Sequence, residues 1–507
     1  MVVLLTVVLT LSAAPPRYPL PGKRQMCRTY ELAEREGRLN KAPQKASVRW
    51  EGTLHQLVIL VDYPDKTFKN AEPLTLWQKI FNEQGYSEDK FRGSVHDYFY
   101  DQSNGLLDLE FDVCMVHLDS VYSYYGKNDS QGDDLRLREM VSEAVAKVDT
   151  TLVTDWSPYD WDGDGEVEQV FLLFAGMGEN DGGDDDTVWP CQWSMKRRQK
   201  LYDGRYAFDF GCFAELSGYS NYASFGVLCH EYSHCLGLPD FYMTVDPWSS
   251  IVAYWSLMDY GCYAGDGGYR PVGYSAYERM SLGWMDVEEL TKPSTISGMT
   301  HVANQGPAYK VTNSGNSDEF YIIENRQPVG WDAGLPGSGL LVWHVDYSAS
   351  AWANNTLNNS ALHRRVSIVP ANNKALGSDT PKTTAQHIVW MNTQKGWTYP
   401  YEDNDSLTDN SVPAATMFSK NADEQKLMSK PITAMHVDGD GLASFKFMGG
   451  DDDAAGIKAI RRTPDDGPLT VFDLRGRRVG RSLDGLPRGV YIIRYANGET
   501  RKVIREE

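Results

Sequence analysis

The chain has 507 residues, 41% of them hydrophobic and 12% aromatic, a globular composition on a chain too long for a single core. Its formal net charge is −20. So acidic a surface repels nucleic-acid phosphates and anionic membranes, which excludes nucleic acid as a partner, and it suits calcium, whose ligands are oxygens.

The chain begins with "MVVLLTVVLTLSAAPP", an apolar run ending in small residues and prolines. It is too short to span a bilayer and predicts a signal peptide over 1–14, although the usual basic start is missing. Residues 15–52 are polar and basic and suit a short pro-segment or linker. The unbroken apolar run 57–62 predicts a buried strand. "PLTLWQKIFNE" and "GSVHDYFYDQS" have helical spacing, "LLDLEFDVCMVHL" alternates as a strand, and "DDLRLREMVSEAVAKV" is an amphipathic helix. "VEQVFLLFAG" is a second buried strand. The fold class expected is therefore α+β, with a mixed sheet and helices over 53–294. From 295 to 447 short alternating runs sit between Gly, Asn, Asp and Pro clusters, which reads as β-rich. "GGDDDAAG" looks like a linker, and 448–507 form a small β unit. No later segment is apolar enough for a transmembrane anchor. Seven cysteines leave at least one outside any pairing, and the sequence does not give their connectivity.

The stretch "VLCHEYSHCLGLPDFY", residues 227–242, carries the chemistry. On a helix from about Ser224 to Leu236, His230 and His234 lie one turn apart on one face. Two imidazoles so placed reach one zinc ion at about 2.0–2.1 Å each. Glu231 follows the first histidine, where it can take a proton from a metal-activated water. Gly237 allows a sharp left-handed turn, after which Asp240 returns as an oxygen ligand. Three protein ligands and an open position describe a catalytic zinc site. Glu278 is the alternative third ligand, since no glutamate lies between it and Glu231. Cys229 and Cys235 flank the histidines but point off their face.

"DWDGDGEVE" places Asp160, Asp162 and Asp164 in alternation, with Gly165 for the turn and Glu168 at the ninth position of an EF-hand-like calcium loop. The twelfth position is Phe171, so the last ligand of such a loop is missing.

"YWSLMDYGCY" resembles the methionine turn of the zinc peptidases called metzincins, and the resemblance gives Tyr260 a role in binding metal or stabilising the transition state. Taken with "GSVHDYFYDQSNG", "YDWDGDGEVEQVFLLFAGMGE", "YSAYERMSLGW" and "YIIENRQPVGWDAGLPGSGLLVWHVD", residues 53–447 resemble the immune inhibitor A family of secreted metalloendopeptidases. The resemblance implies a metzincin-like catalytic domain, zinc and calcium as cofactors, His230 and His234 as zinc ligands, and Glu231 as catalytic acid and base. Ser233 departs from the glycine common there. The block "PLTVFDLRGRRVGRSLDGLPRGVYIIRYANGETRKVIREE" resembles type IX secretion sorting domains. It implies that type IX machinery is a partner and that the protein passes through the periplasm to be secreted or held on the cell surface.

The reading is a secreted zinc metalloendopeptidase acting on protein or peptide substrates. One rival is a surface adhesin built on an inactive peptidase scaffold, and another is a zinc hydrolase of non-peptide bonds. Retention of Glu231 argues against the adhesin, because a binding scaffold has no use for that base. A further expectation is that Cys27, set among Lys23, Arg24 and Arg28, covers the zinc before processing.

Overall fold

The apolar run at 57–62 extends into an 11-residue strand, β2 (Gly52–Asp62), an inner strand of a six-stranded sheet. It pairs in parallel with β3 (Leu107–His117) on one side and with β4 (Val170–Met177) on the other. β4 pairs in parallel with β6 (Tyr206–Leu216), and β5 (Cys191–Lys200) runs antiparallel along β6. A two-residue strand, β1 (Ser12–Ala13), lies antiparallel on the outer edge of β5, giving the order β1-β5-β6-β4-β2-β3. The computed structural model describes residues 50–450, except 131, 219–220, 246–248 and 376–383. It also describes residues 12–13, 470–472, 478–480, 489–494 and 500–505. The expected leader and pro-segment, Cys27 included, lie outside these residues apart from β1 and residues 50–52, of which Gly52 already belongs to β2.

Parallel strands need cover on both faces, and helices supply it. On one face α1 (Pro73–Asn82), α2 (Val95–Gln102) and α5 (Phe225–Cys235) bury Trp77, Phe81, Tyr98, Phe99, Leu228 and Tyr232 against Val58, Leu60, Phe171 and Phe213. On the other, α3 (Tyr122–Gly126) and α4 (Leu137–Val148) cover Leu57, Ile59, Leu172 and Phe174 with Tyr125, Met140 and Val141. The sequence reading passed over β5 and β6. β5 ends in "KRRQK", whose exposed charges suit a sheet edge and hide its strand pattern.

Helix α2 begins at Ser94 with a capping box closed by Asp97. His96 on that helix meets Asp108 of β3, Nε2 to Oδ1 2.8 Å. Burial lowers the His96 pKa, but the hydrogen bond to Asp108 and the nearby Asp97 carboxylate, 4.0 Å from Nδ1, outweigh it and lift the imidazole from 6.5 to about 9. A histidine raised by folding stabilises fully below its unfolded pKa, and that support is lost as pH rises through the folded value. The melting temperature is therefore expected to fall between pH 6.5 and 9, and His96→Gln to flatten that fall. Parallel pH–melting profiles for the two proteins check this; identical slopes contradict it.

Past residue 287 come β7 (Glu288–Glu289), β8 (Ser294–Met299), β9 (Ala308–Asn313), β10 (Asn316–Arg326), β11 (Gly339–Asp346), β12 (Val366–Ile368), β13 (Ile432–Val437) and β14 (Ala443–Phe447). They build a sheet in the order β12-β11-β10-β9-β7 and another in the order β13-β14-β8. Phe320, Ile322, Leu341 and Trp343 of the larger sheet belong to the same apolar cluster as α2 and α5. Residues 295–447 thus share a core with the sheet that precedes them.

Residues 452–507 cluster as a separate unit. Its described strands, β15 (Thr470–Phe472), β16 (Arg478–Gly480), β17 (Gly489–Arg494) and β18 (Thr500–Arg505), form an antiparallel sheet around Val471, Tyr491 and Ile493. Among the described residues no helix is long and apolar enough to cross a membrane.

Candidate metal centre

Helix α5 starts after Ser224 and ends at Cys235, with Leu236 as its C-cap. Gly237 then takes φ 101°, a left-handed conformation that side chains resist, and the chain reverses toward Asp240. His230 and His234 bring their Nε2 atoms within 3.2 Å of each other. Asp240 Oδ1 lies 3.1 Å from the first and 3.3 Å from the second. Ligand atoms placed tetrahedrally about 2.0–2.1 Å from one ion stand about 3.3 Å apart, so the trio has the spacing of a small divalent-metal site. All three side chains are buried.

The surrounding bonds fix what each ligand offers. His230 Nδ1 donates to Leu257 O at 2.8 Å, and His234 Nδ1 donates to Leu238 O at 2.7 Å. A carbonyl only accepts, so each imidazole keeps its proton on Nδ1 and turns the Nε2 lone pair toward the centre. Asn355 holds Asp240 twice: its Nδ2 donates to Oδ2, and its Oδ1 accepts from the Asp240 amide, both at 2.7 Å.

The segment 256–260 forms the floor. Leu257 supplies the carbonyl for His230, and Met258 O accepts from Phe241 N at 2.8 Å, tying down the residue after Asp240. Asp259, fully buried, gathers the amides of Ile251, Val252, Ala253 and Tyr260 and the Ser250 hydroxyl at 2.8–2.9 Å. Burial pushes its carboxyl up to about 6 against the pull of those donors.

With this geometry in view, residues 42–285 match a known family, described as immune inhibitor A peptidase M6, catalytic domain. The stretch resembles an M6 catalytic domain. Pre-pro-metalloprotease PrtV of Vibrio cholerae serotype O1 (strain M66-2) is 27% identical over 326 residues, covering 53% of this chain and 35% of the relative. Immune inhibitor A of Bacillus thuringiensis subsp. alesti is 26% identical over 266 residues, covering 43% and 38%. The chain therefore spans little more than a third of the length of these relatives.

Within the M6-matched stretch, Glu231 is fully buried on α5. Tyr260 is 3% exposed, at the end of the floor segment where a 3-10 turn begins, its ring edge-on to Trp390 at 5.5 Å. Glu278 is placed elsewhere. It closes a capping box at the short helix Ala276–Ser281, accepting from the Ser275 amide and hydroxyl at 2.6 Å and from the Ser256 hydroxyl at 2.7 Å. Ser233 donates to Cys229 O at 2.6 Å and meets the Tyr274 hydroxyl. Cys229 is buried and Cys235 half-buried, and burial raises both thiols above their ordinary value.

The acidic loop before β4 gathers Asp160, Asp162 and Asp164, each with a carboxylate oxygen within 4.8 Å of the others. Asp160 Oδ1 is buried and has no protein partner, while Oδ2 accepts from Arg205 Nε at 2.9 Å. Glu168 is turned to the loop's own backbone, accepting from the Trp161 amide at 2.6 Å and the Asp162 amide at 3.2 Å. Burial, aided by the Asp162 charge, pushes it up to about 7. Phe171, in the place of the missing last ligand, is buried in β4.

The sequence reading missed two positioning residues. Asp259 could have been noticed beside Met258, whereas Asn355 lies in "ANNTLNNS", which carries no local signal.

Proposed function

We propose that this protein is a secreted zinc metalloendopeptidase with a metzincin-like catalytic domain, and the mutual spacing of His230, His234 and Asp240 is the observation that carries the reading. Zinc held by these residues supplies Lewis acidity, which lowers the pKa of water toward about 7 and polarises the scissile carbonyl. Glu231 takes the proton of the attacking water and delivers it to the leaving amine. Tyr260 steadies the charge that develops on the carbonyl oxygen. Asn355 and the carbonyls of Leu257 and Leu238 keep the ligands oriented through the cycle. The substrate lies extended along the outer edge of β5, pairing its backbone by strand addition. The pairing of Ser12 with Gln192 and of Ala13 with Cys191 on that edge supports this. The test is hydrolysis of a protein substrate after metal removal. Activity should vanish with zinc and return on its re-addition, and hydrolysis by metal-free protein would contradict the assignment.

Calcium occupies the loop of Asp160, Asp162 and Asp164, with Glu168 bracing the loop backbone. The partnerless Asp160 oxygen and three close carboxylates, which repel one another without a cation, support this reading. A chelator selective for calcium over zinc, or Asp162→Asn with Asp164→Asn, should lower the melting temperature by roughly 5 °C and reduce activity with it. An unchanged melting curve in the chelator would remove the site.

Residues 448–507 serve as a type IX sorting domain, a reading that rests on the sequence resemblance. Its deletion should trap the protein in the periplasm; unimpaired release to the medium would count against it.

A further inference from the structure

Cys191 opens β5, and Cys212 is its register partner on the antiparallel strand β6. Their Sγ atoms are 3.9 Å apart. Opposed residues on antiparallel strands have Cα atoms about 4.5–5.5 Å apart, inside the span of about 4.4–6.8 Å that a disulfide bridges. Small rotations about the two side-chain bonds therefore suffice to join the sulfurs. Cys191 is 1% exposed and Cys212 0%, on the face of the sheet covered by α4 and away from α5. Met195, Phe210 and Leu172 share that apolar cluster.

We propose that Cys191 and Cys212 are joined by a disulfide in the exported protein, fastening the edge strand β5 to the body of the sheet. Each thiol gives up a proton and an electron as the sulfur–sulfur bond forms. The two electrons and two protons reduce the disulfide of a thiol–disulfide oxidoreductase, or oxidised glutathione in vitro, to two thiols. Only a thiolate attacks a disulfide, and burial lifts the Cys191 thiol well above its ordinary value in the folded sheet. The bond therefore forms while the strands are still assembling, and the closed core then shields it from reductants.

The crosslink has a definite mechanical place. Among the described residues β5 has one long partner strand, and its other edge is where the substrate is proposed to pair. The cysteines are 21 positions apart, so the bond closes a short hairpin loop and removes conformations from the unfolded chain. It holds the start of β5 to β6 without touching the metal ligands. The inference depends on export to an oxidising compartment and is independent of peptidase activity, which the experiment reads separately.

The full chain is refolded in a glutathione redox buffer, its free thiols are alkylated under denaturing conditions, and it is mapped by mass spectrometry without reduction. The expected result is a peptide containing Cys191 linked to one containing Cys212, neither alkylated. Cys191→Ser with Cys212→Ser should melt a few degrees lower and keep its zinc. Alkylation of both cysteines in the oxidised wild type, or their linkage to other cysteines, overturns the proposal. The wild-type map decides the question even if the double variant does not fold. Loss of hydrolysis with the link present would bear on the peptidase reading alone.

Discussion

Glu231→Gln is expected to keep its zinc and to lose peptide hydrolysis by about a hundredfold to ten-thousandfold, the usual contribution of a positioned acid–base group. The substitution preserves the shape of a fully buried side chain on α5 and leaves His230, His234 and Asp240 untouched. What it removes is the capacity to accept a proton from water and return it to the amine. Metal analysis and turnover are measured on the same sample. A zinc-loaded Glu231→Gln protein with near wild-type turnover would sink the catalytic role.

Asp240→Ala is expected to weaken zinc binding by more than about a hundredfold, the upper end of what losing a mere supporting residue costs. Glu278→Ala should leave zinc affinity within a few-fold of wild type. The reason is the spacing of Asp240 Oδ1 from both imidazoles, 3.1 and 3.3 Å, while Glu278 binds Ser275 and Ser256. Removing Glu278 instead leaves buried hydroxyl and amide donors without an acceptor, a stability loss of about 1–3 kcal/mol. Titration of the two metal-free variants with zinc separates the roles, and the reverse ranking would make Glu278 the ligand.

What could be read from the sequence, and what could not, follows from the range of the interactions. Helix α5, its end at Gly237 and the return of Asp240 are set by residues within one short stretch, so periodicity and turn chemistry were enough to anticipate them. Strands β2 and β4 were equally plain, because a strand buried on both faces is an unbroken apolar run. Asn355 was invisible because it reaches Asp240 across 115 positions of sequence. The break expected near residue 295 marks a change from helices and parallel strands to antiparallel ones. It does not mark the edge of a core, since Trp343 packs against Phe241, beside Asp240, at a ring separation of 6.5 Å. Alternation looks the same whether a sheet buries its own face or completes a neighbour's. Glu168 occupies the ninth loop position as expected, but two loop amides already claim its oxygens.

The most direct test of the central claim is an unbiased peptide-library digest by the purified protein at measured zinc content, beside Glu231→Gln at the same zinc content. The account predicts new peptide termini in the wild-type digest and almost none with the variant. A fully zinc-loaded wild-type protein that cuts no peptide bond in the library would contradict it.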